Sequence, residues 1–202
     1  MENQNHAFNY AYLLKQVKAR VLLAQKKAIY TANEEMLSMY WDIGKLLSES
    51  QKQIGWGNNA LEKLANDLKN DYPEMKGFSV RNCQFMIQFY NEYNQQLTNT
   101  KRAVSYLNNN EIVLPISKLG WSHNITLMQR TKDIKARYWY MIQCLKNGWS
   151  RDFLIEAIKQ DYYHSHGALA SNFDTTLPEI QAKQVKETLK DPYIFDMLTF
   201  TE

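Results

Sequence analysis

Cysteine, glycine and proline are all scarce in this 202-residue chain, which has two Cys, seven Gly and four Pro. Two cysteines cannot build a disulfide framework or a zinc site, and Cys83 and Cys144 sit inside amphipathic stretches as small apolar residues. So few glycines and prolines exclude a turn-rich β-sandwich and a collagen-like repeat. No eighteen apolar residues run together, and residues 1–9 lack the basic and apolar regions of a secretory signal. The expectation is a soluble, cytoplasmic protein with no membrane partner. Histidine is scarce as well, and His6, His123, His164 and His166 show no metal-ligand spacing. The chain has no Gly-x-Ser-x-Gly elbow and no glycine-rich phosphate loop. These absences predict a chain with no catalytic residues, no metal, no cofactor and no small-molecule substrate.

What is present is a helical pattern. With 45% hydrophobic and 22% charged residues the chain can bury a core. From Tyr10 to about Leu47, apolar residues recur in steps of three and four through Leu13, Leu14, Val17, Val21, Ala24, Ala28, Ala32, Met36, Met39, Ile43 and Leu47. That spacing predicts one long amphipathic helix, which either kinks near Gly44 or extends to meet a partner. The stripe Val17, Val21, Ala24 and Ala28 is a candidate homodimer contact. Three later triplets share one order, Gly77-Phe78-Ser79, Gly120-Trp121-Ser122 and Gly148-Trp149-Ser150. Each predicts a helix start, with glycine supplying a positive φ, the aromatic stapling the first turn and serine capping free N–H groups. The reading is all-α, with a small β-hairpin possible near 103–114. Its regions are a long first helix (1–50), a helix-turn-helix-like part (51–166) and a loop, helix and linker (167–202).

Charge is unevenly spread. Residues 101–150 hold eight Lys/Arg against two Asp/Glu, whereas 151–202 hold five against nine. The basic excess hints at an anionic partner, and a solvated face is the plain alternative. Two helix pairs have helix-turn-helix shape. In the first, the helix from Ser79 offers Arg81, Gln84, Gln88 and Asn91 on one face, residue types that reach base edges. In the second, Asp133–Asn147 and the helix from Arg151 flank a tight Gly148 turn, amid basic residues. The candidate DNA-binding set is Arg81, Asn82, Gln84, Gln88, Lys101, Arg102, Arg130, Lys132, Lys135, Arg137 and Arg151. Asp133-Ile134-Lys135 matches the acidic-x-Lys element of metal nucleases, but no partner acid stands near it in sequence. Tyr40-Trp41 and Tyr138-Trp139-Tyr140 could stack on bases, although aromatics at helical spacing usually belong to the core.

An ordered series of motifs spans nearly the whole chain: Tyr40-Trp41-Asp42-Ile43-Gly44-Lys45, Gly55-Trp56-Gly57, Leu61 to Leu68, Gly77-Phe78-Ser79-Val80-Arg81-Asn82, Phe89-Tyr90, Trp121-Ser122-His123-Asn124, Arg137-Tyr138-Trp139-Tyr140, Asn147 to Arg151, and Leu189 to Asp196. The series resembles the N-terminal domain of the YhcG-type family, assigned as bacterial nucleases. The resemblance implies a helical DNA-binding domain that leads, after Lys190-Asp191-Pro192-Tyr193-Ile194-Phe195-Asp196, into a nuclease domain of the PD-(D/E)XK type. That second domain is missing from the 202 residues, so the resemblance makes the chain a piece of a longer protein or a truncated member. It carries no catalytic residue over to this sequence. The expected function is a non-catalytic DNA-targeting module that binds duplex or branched DNA, with a helical dimerisation or protein-interaction module as the alternative.

Overall fold

The computed structural model describes residues 10–54, 58–99, 115–167 and 182–194, and among them there are helices and no strand. Seven α-helices follow one another: α1 (Tyr10–Ile54), α2 (Asn58–Asp71), α3 (Val80–Asn99), α4 (Trp121–Arg130), α5 (Ile134–Asn147), α6 (Arg151–Lys159) and α7 (Ala182–Leu189). Short 3-10 turns precede α3 and α4, and one π-helical turn, Tyr163–Gly167, follows α6. The fold is all-α. The possible hairpin at 103–114 lies outside the described residues.

α1 runs unbroken through Gly44 for 45 residues, about 67 Å at 1.5 Å per residue. Gly44 is a contact, not a hinge. A Cβ there would lie 2.1 Å from the Met86 carbonyl oxygen and 2.7 Å from its carbon, so the missing side chain lets the backbone of α3 press against α1. A Ser48 hydroxyl donating to the Asn91 amide oxygen at 2.8 Å ties the same two helices one turn further on. α2 closes the other flank of this pair through Leu61, which shares a small cluster with Leu47 and Cys83.

The main core gathers around one indole. Trp121 is fully buried, with its ring 5.0 Å from Tyr40 and 5.1 Å from Phe89, and Phe89 in turn meets Tyr93 edge-on. Met36, Met86, Leu127, Met128, Met141, Leu145, Leu154 and Ile194 complete it, so α1, α3, α4, α5, α6 and the segment after α7 share one interior. Tyr40, Tyr138 and Tyr140 are buried there, which makes them core residues.

The three Gly-aromatic-Ser triplets each begin a helix, but for different physical reasons. Only Gly148 has a positive φ (60°), and its N–H closes α5 on the Cys144 carbonyl. Gly77 instead avoids the Tyr40 hydroxyl, and Gly120 avoids the Asp191 carboxylate, each 2.6 Å from where a Cβ would sit. Ser79 and Ser150 cap as expected, accepting from Asn82 N and Phe153 N, both at 3.2 Å. Ser122 does not cap. Asp191, 69 residues away, caps α4 in its place, accepting from Ser122 N at 2.8 Å and from Ser122 Oγ at 2.9 Å. Trp149 packs partly buried against the core that holds Leu154, and its ring also meets Phe153.

Gly44→Ala tests the α1–α3 contact. Helix propensity alone would favour alanine by about 1 kcal/mol. A Cβ against backbone atoms cannot be relieved by a rotamer change, and overpacking of this kind costs roughly 1–3 kcal/mol or more. The expected result in urea denaturation is a net loss of about 2 kcal/mol, seen as a lower midpoint at an unchanged slope.

Candidate nucleic-acid interface

The described part of the basic segment, residues 115–150, folds as α4, α5 and the turns around them. Its single described acid, Asp133, accepts the Lys135 backbone N–H at 3.0 Å and so caps α5. That bond accounts for the Asp133-Ile134-Lys135 match: the carboxylate is a helix cap. Among the described residues no group of three His, Cys, Asp or Glu is placed to hold a metal ion.

The candidate residues divide into a buried set and an exposed set. Asn82 is buried, taking the Trp121 indole N–H on its oxygen at 2.8 Å and donating to the Gly77 carbonyl at 2.6 Å. Arg137, 3% exposed, donates from Nε and Nη2 to the Thr131 carbonyl and from Nη1 to Glu92 at 2.8 Å, with its guanidinium 5.3 Å from the centre of the Tyr93 ring. Both residues hold the fold together and are off the surface that a nucleic acid would meet. Gln88 is drawn to the same carboxylate, donating to Glu92 Oε1 at 2.6 Å, and Asn91 is engaged by Ser48. Arg81, Gln84, Arg130, Lys132, Lys135 and Arg151 are exposed. Lys101 and Arg102 lie outside the described residues. Arg81 stacks over Phe85, 5.6 Å from its centroid.

Of the seven basic residues from Lys118 to Arg151, two are neutralised across helices: Lys118 by Glu34 and Arg137 by Glu92. The other five, Arg130, Lys132, Lys135, Lys146 and Arg151, are exposed and form no ion pair among the described residues. α6, second helix of the Gly148 pair, exposes Asp152 and Glu156 beside Arg151 and Lys159, so its outer face is mixed in sign. α3 exposes Arg81, stacked on Phe85, and Gln84. The arrangement can meet phosphates at several points and base edges at few.

Two features escaped the sequence pattern. His123 is buried, and its Nε2 donates to the Trp149 carbonyl at 3.0 Å, linking α4 to the turn between α5 and α6. Burial holds its pKa below the ordinary histidine value. From α5 across α6 to the π-helical turn, a chain of rings runs through Trp139, Trp149, Phe153, Tyr162 and His166, with Phe153 45% exposed. The chain reaches this cluster through Asp161, whose φ of 53° is the one positive value on a non-glycine among the described residues. Trp149 was visible in its Gly-Trp-Ser triplet, but no local spacing places Tyr162 beside it.

The structure thus defines an all-α domain whose marked motif residues build its interior: Tyr40, Gly44, Asn82, Phe89, Trp121, His123, Asn124 and Asp191 are all buried. The chain belongs to the DUF1016 N-terminal domain family, whose model matches residues 16–165. No curated protein and no solved structure matches it.

The His123 environment sets a pH dependence. A histidine whose folded pKa is depressed binds its proton more readily when unfolded, so stability is full above the unfolded value of about 6.5 and falls as pH drops below it. One such group contributes a slope of up to about 1.4 kcal/mol per pH unit until the folded value is reached. Denaturation midpoints at pH 7 and pH 5 should show this loss in the native chain and a smaller one in His123→Gln, which keeps a donor for Trp149 but does not titrate.

Proposed function

We propose that this chain is a non-catalytic DNA-targeting module that holds nucleic acid mainly by its phosphates. The observation that carries the reading is the set of five exposed cations from Arg130 to Arg151, unpaired among the described residues, in a stretch whose one described acid, Asp133, is committed to a helix cap, with Asp152 following Arg151. Cations left without intramolecular partners release counterions when they meet a phosphate backbone, and that release supplies sequence-independent affinity. Gln88 and Asn91 are engaged within the fold, so Arg81 and Gln84 are left to discriminate among bases. The resemblance to nuclease N-terminal domains agrees with a targeting role, in which chemistry belongs to another part of a longer protein.

A second reading, a helical assembly module, has support of its own. Tyr10, Tyr12, Leu13, Leu14, Val17, Val21, Leu22 and Leu23, all in the first third of α1, are between 37% and 68% exposed. Large apolar side chains gathered on one segment mark an interaction surface.

Binding of duplex and branched DNA, measured by fluorescence anisotropy over a series of salt concentrations, tests the first reading. Lys132→Ala with Lys135→Ala should weaken binding to every sequence and flatten the log affinity against log salt plot by about 0.9 per lost contact. Arg81→Ala should cost roughly 1–3 kcal/mol on preferred DNA only. Arg137→Ala should lower folding stability and leave the salt slope of the folded fraction unchanged. An unaltered slope in the double variant returns the charge to an ordinary solvated face. Failure of the native chain to bind at low salt hands first place to the assembly reading.

A further inference from the structure

The two ends of α1 live in different surroundings. From Tyr30 onward it packs into the body through Asn33, Met36, Leu37, Tyr40, Gly44 and Leu47, all buried, whereas residues 10–25 are exposed throughout. At 100° per residue, Val17, Val21, Ala24 and Ala28 centre about 140° around the helix from Met36, Leu37, Tyr40, Gly44 and Leu47. The apolar stripe of the free arm is therefore not a continuation of the core face. It runs along the opposite side and needs a cover of its own.

Charge selects the cover. Residues 10–28 carry Lys15, Lys18, Arg20, Lys26 and Lys27 and no acid, whereas residues 29–49 carry Glu34, Glu35, Asp42 and Glu49 against Lys45 alone. A parallel pair of α1 helices would lay the basic arm on another basic arm. An antiparallel pair lays it on the acidic half. The outer side of α1 also has the required symmetry: Tyr10, Ala28 and Leu46 are spaced 18 residues apart, five full turns, so they lie in one line about 27 Å from each other. Tyr10 is 68% and Leu46 63% exposed, and Ala28 is exposed between them. We infer that two copies of this chain pair through the outer sides of their α1 helices, antiparallel, with a two-fold axis at Ala28. This inference rests on the assembly reading and is independent of DNA binding.

About that axis Tyr10 meets Leu46 of the second copy, Val17 meets the open edge of Met39, whose other side packs on its own core, Ala24 meets Ala32, and Val21 lies opposite Glu35. The small side chains of Ala24, Ala28 and Ala32 let the two backbones approach at the crossing. Arg20 comes beside Glu35 of the second copy, twice by symmetry, as flanking charges do in paired helices.

Thiol crosslinking reads the orientation directly, because Cys83 and Cys144 are buried. With a short bifunctional thiol reagent, Ala28→Cys should give a covalent dimer, and Tyr10→Cys should not, its two thiols being about 54 Å apart. By sedimentation the native chain should have twice the monomer mass. Val17→Asp with Val21→Asp should raise the dimer dissociation constant at least tenfold while circular dichroism of the body persists. Arg20→Glu and Glu35→Lys should each weaken the dimer, and the two together should restore it. Crosslinking of Tyr10→Cys, with or without Ala28→Cys, would overturn the antiparallel arrangement, because a parallel pair in register brings both positions to their own copies. A monomer at every concentration up to near-millimolar would overturn the pairing, as would a monomeric chain whose DNA affinity falls on Lys15→Ala with Lys18→Ala, since the arm would then serve nucleic acid.

Discussion

The hydrogen bond from the Trp121 indole to Asn82 is the point on which the fold turns. A buried indole N–H with no acceptor would cost about 1–3 kcal/mol, and a buried amide would do the same. Each satisfies the other at 2.8 Å, and Asn82 spends its remaining donor on the Gly77 carbonyl. Because that bond fixes where Trp121 enters the core, it fixes the start of α4, and with it the residues that follow. Ser122 lies against Asp191, His123 reaches the Trp149 carbonyl, and Asn124 donates into the loop at the carbonyls of Ile116, Leu119 and Gly120. Asn33 of α1 holds that loop from the other side through Ser117 and Leu119. Four consecutive residues thus join α4 to four separate parts of the chain.

This division of labour explains why so many motif residues, among them Tyr40, Asn82, Trp121, His123 and Asp191, are buried. A tryptophan, an asparagine or an aspartate inside a fold has few substitutes, because its polar atoms need partners at fixed positions. Arg137 shows the same logic with a charge: its guanidinium links Thr131, Glu92 and Tyr93, and removing Glu92 would leave the buried guanidinium without its counter-charge. Surface cations face no such demand. Arg130, Lys132 and Lys135 stand out only once their buried neighbours have been taken out of the count.

The sequence was most legible where the governing interaction was local. Helical periodicity, the Ser79 and Ser150 caps and the Gly148 stop each depend on residues within a turn or two, and all are found. The Asp191 cap on α4 was illegible because its partner is 69 residues away, and the Ser122 beside it offered a plausible local substitute. Gly44 left two readings open, a kink or an extended helix, for a related reason: what it provides is space for the backbone of α3, which only the packing reveals. Among the candidate interface residues, sequence gave residue type and helix face but not burial. It could not separate Arg137 from Lys135, two residues apart, because which side of α5 meets Glu92 is decided by how α3 packs.

Because α1 continues without a break from the buried Leu47 to the exposed Tyr10, it works as a shaft that keeps phase between the body and the free arm. Inserting one residue in its middle would turn every side chain of the arm by 100° relative to the core, with no change in composition or helix propensity. Seven inserted residues would leave the direction nearly intact and move the arm outward by about 10 Å. Length variation in this helix is therefore constrained by angle before it is constrained by distance.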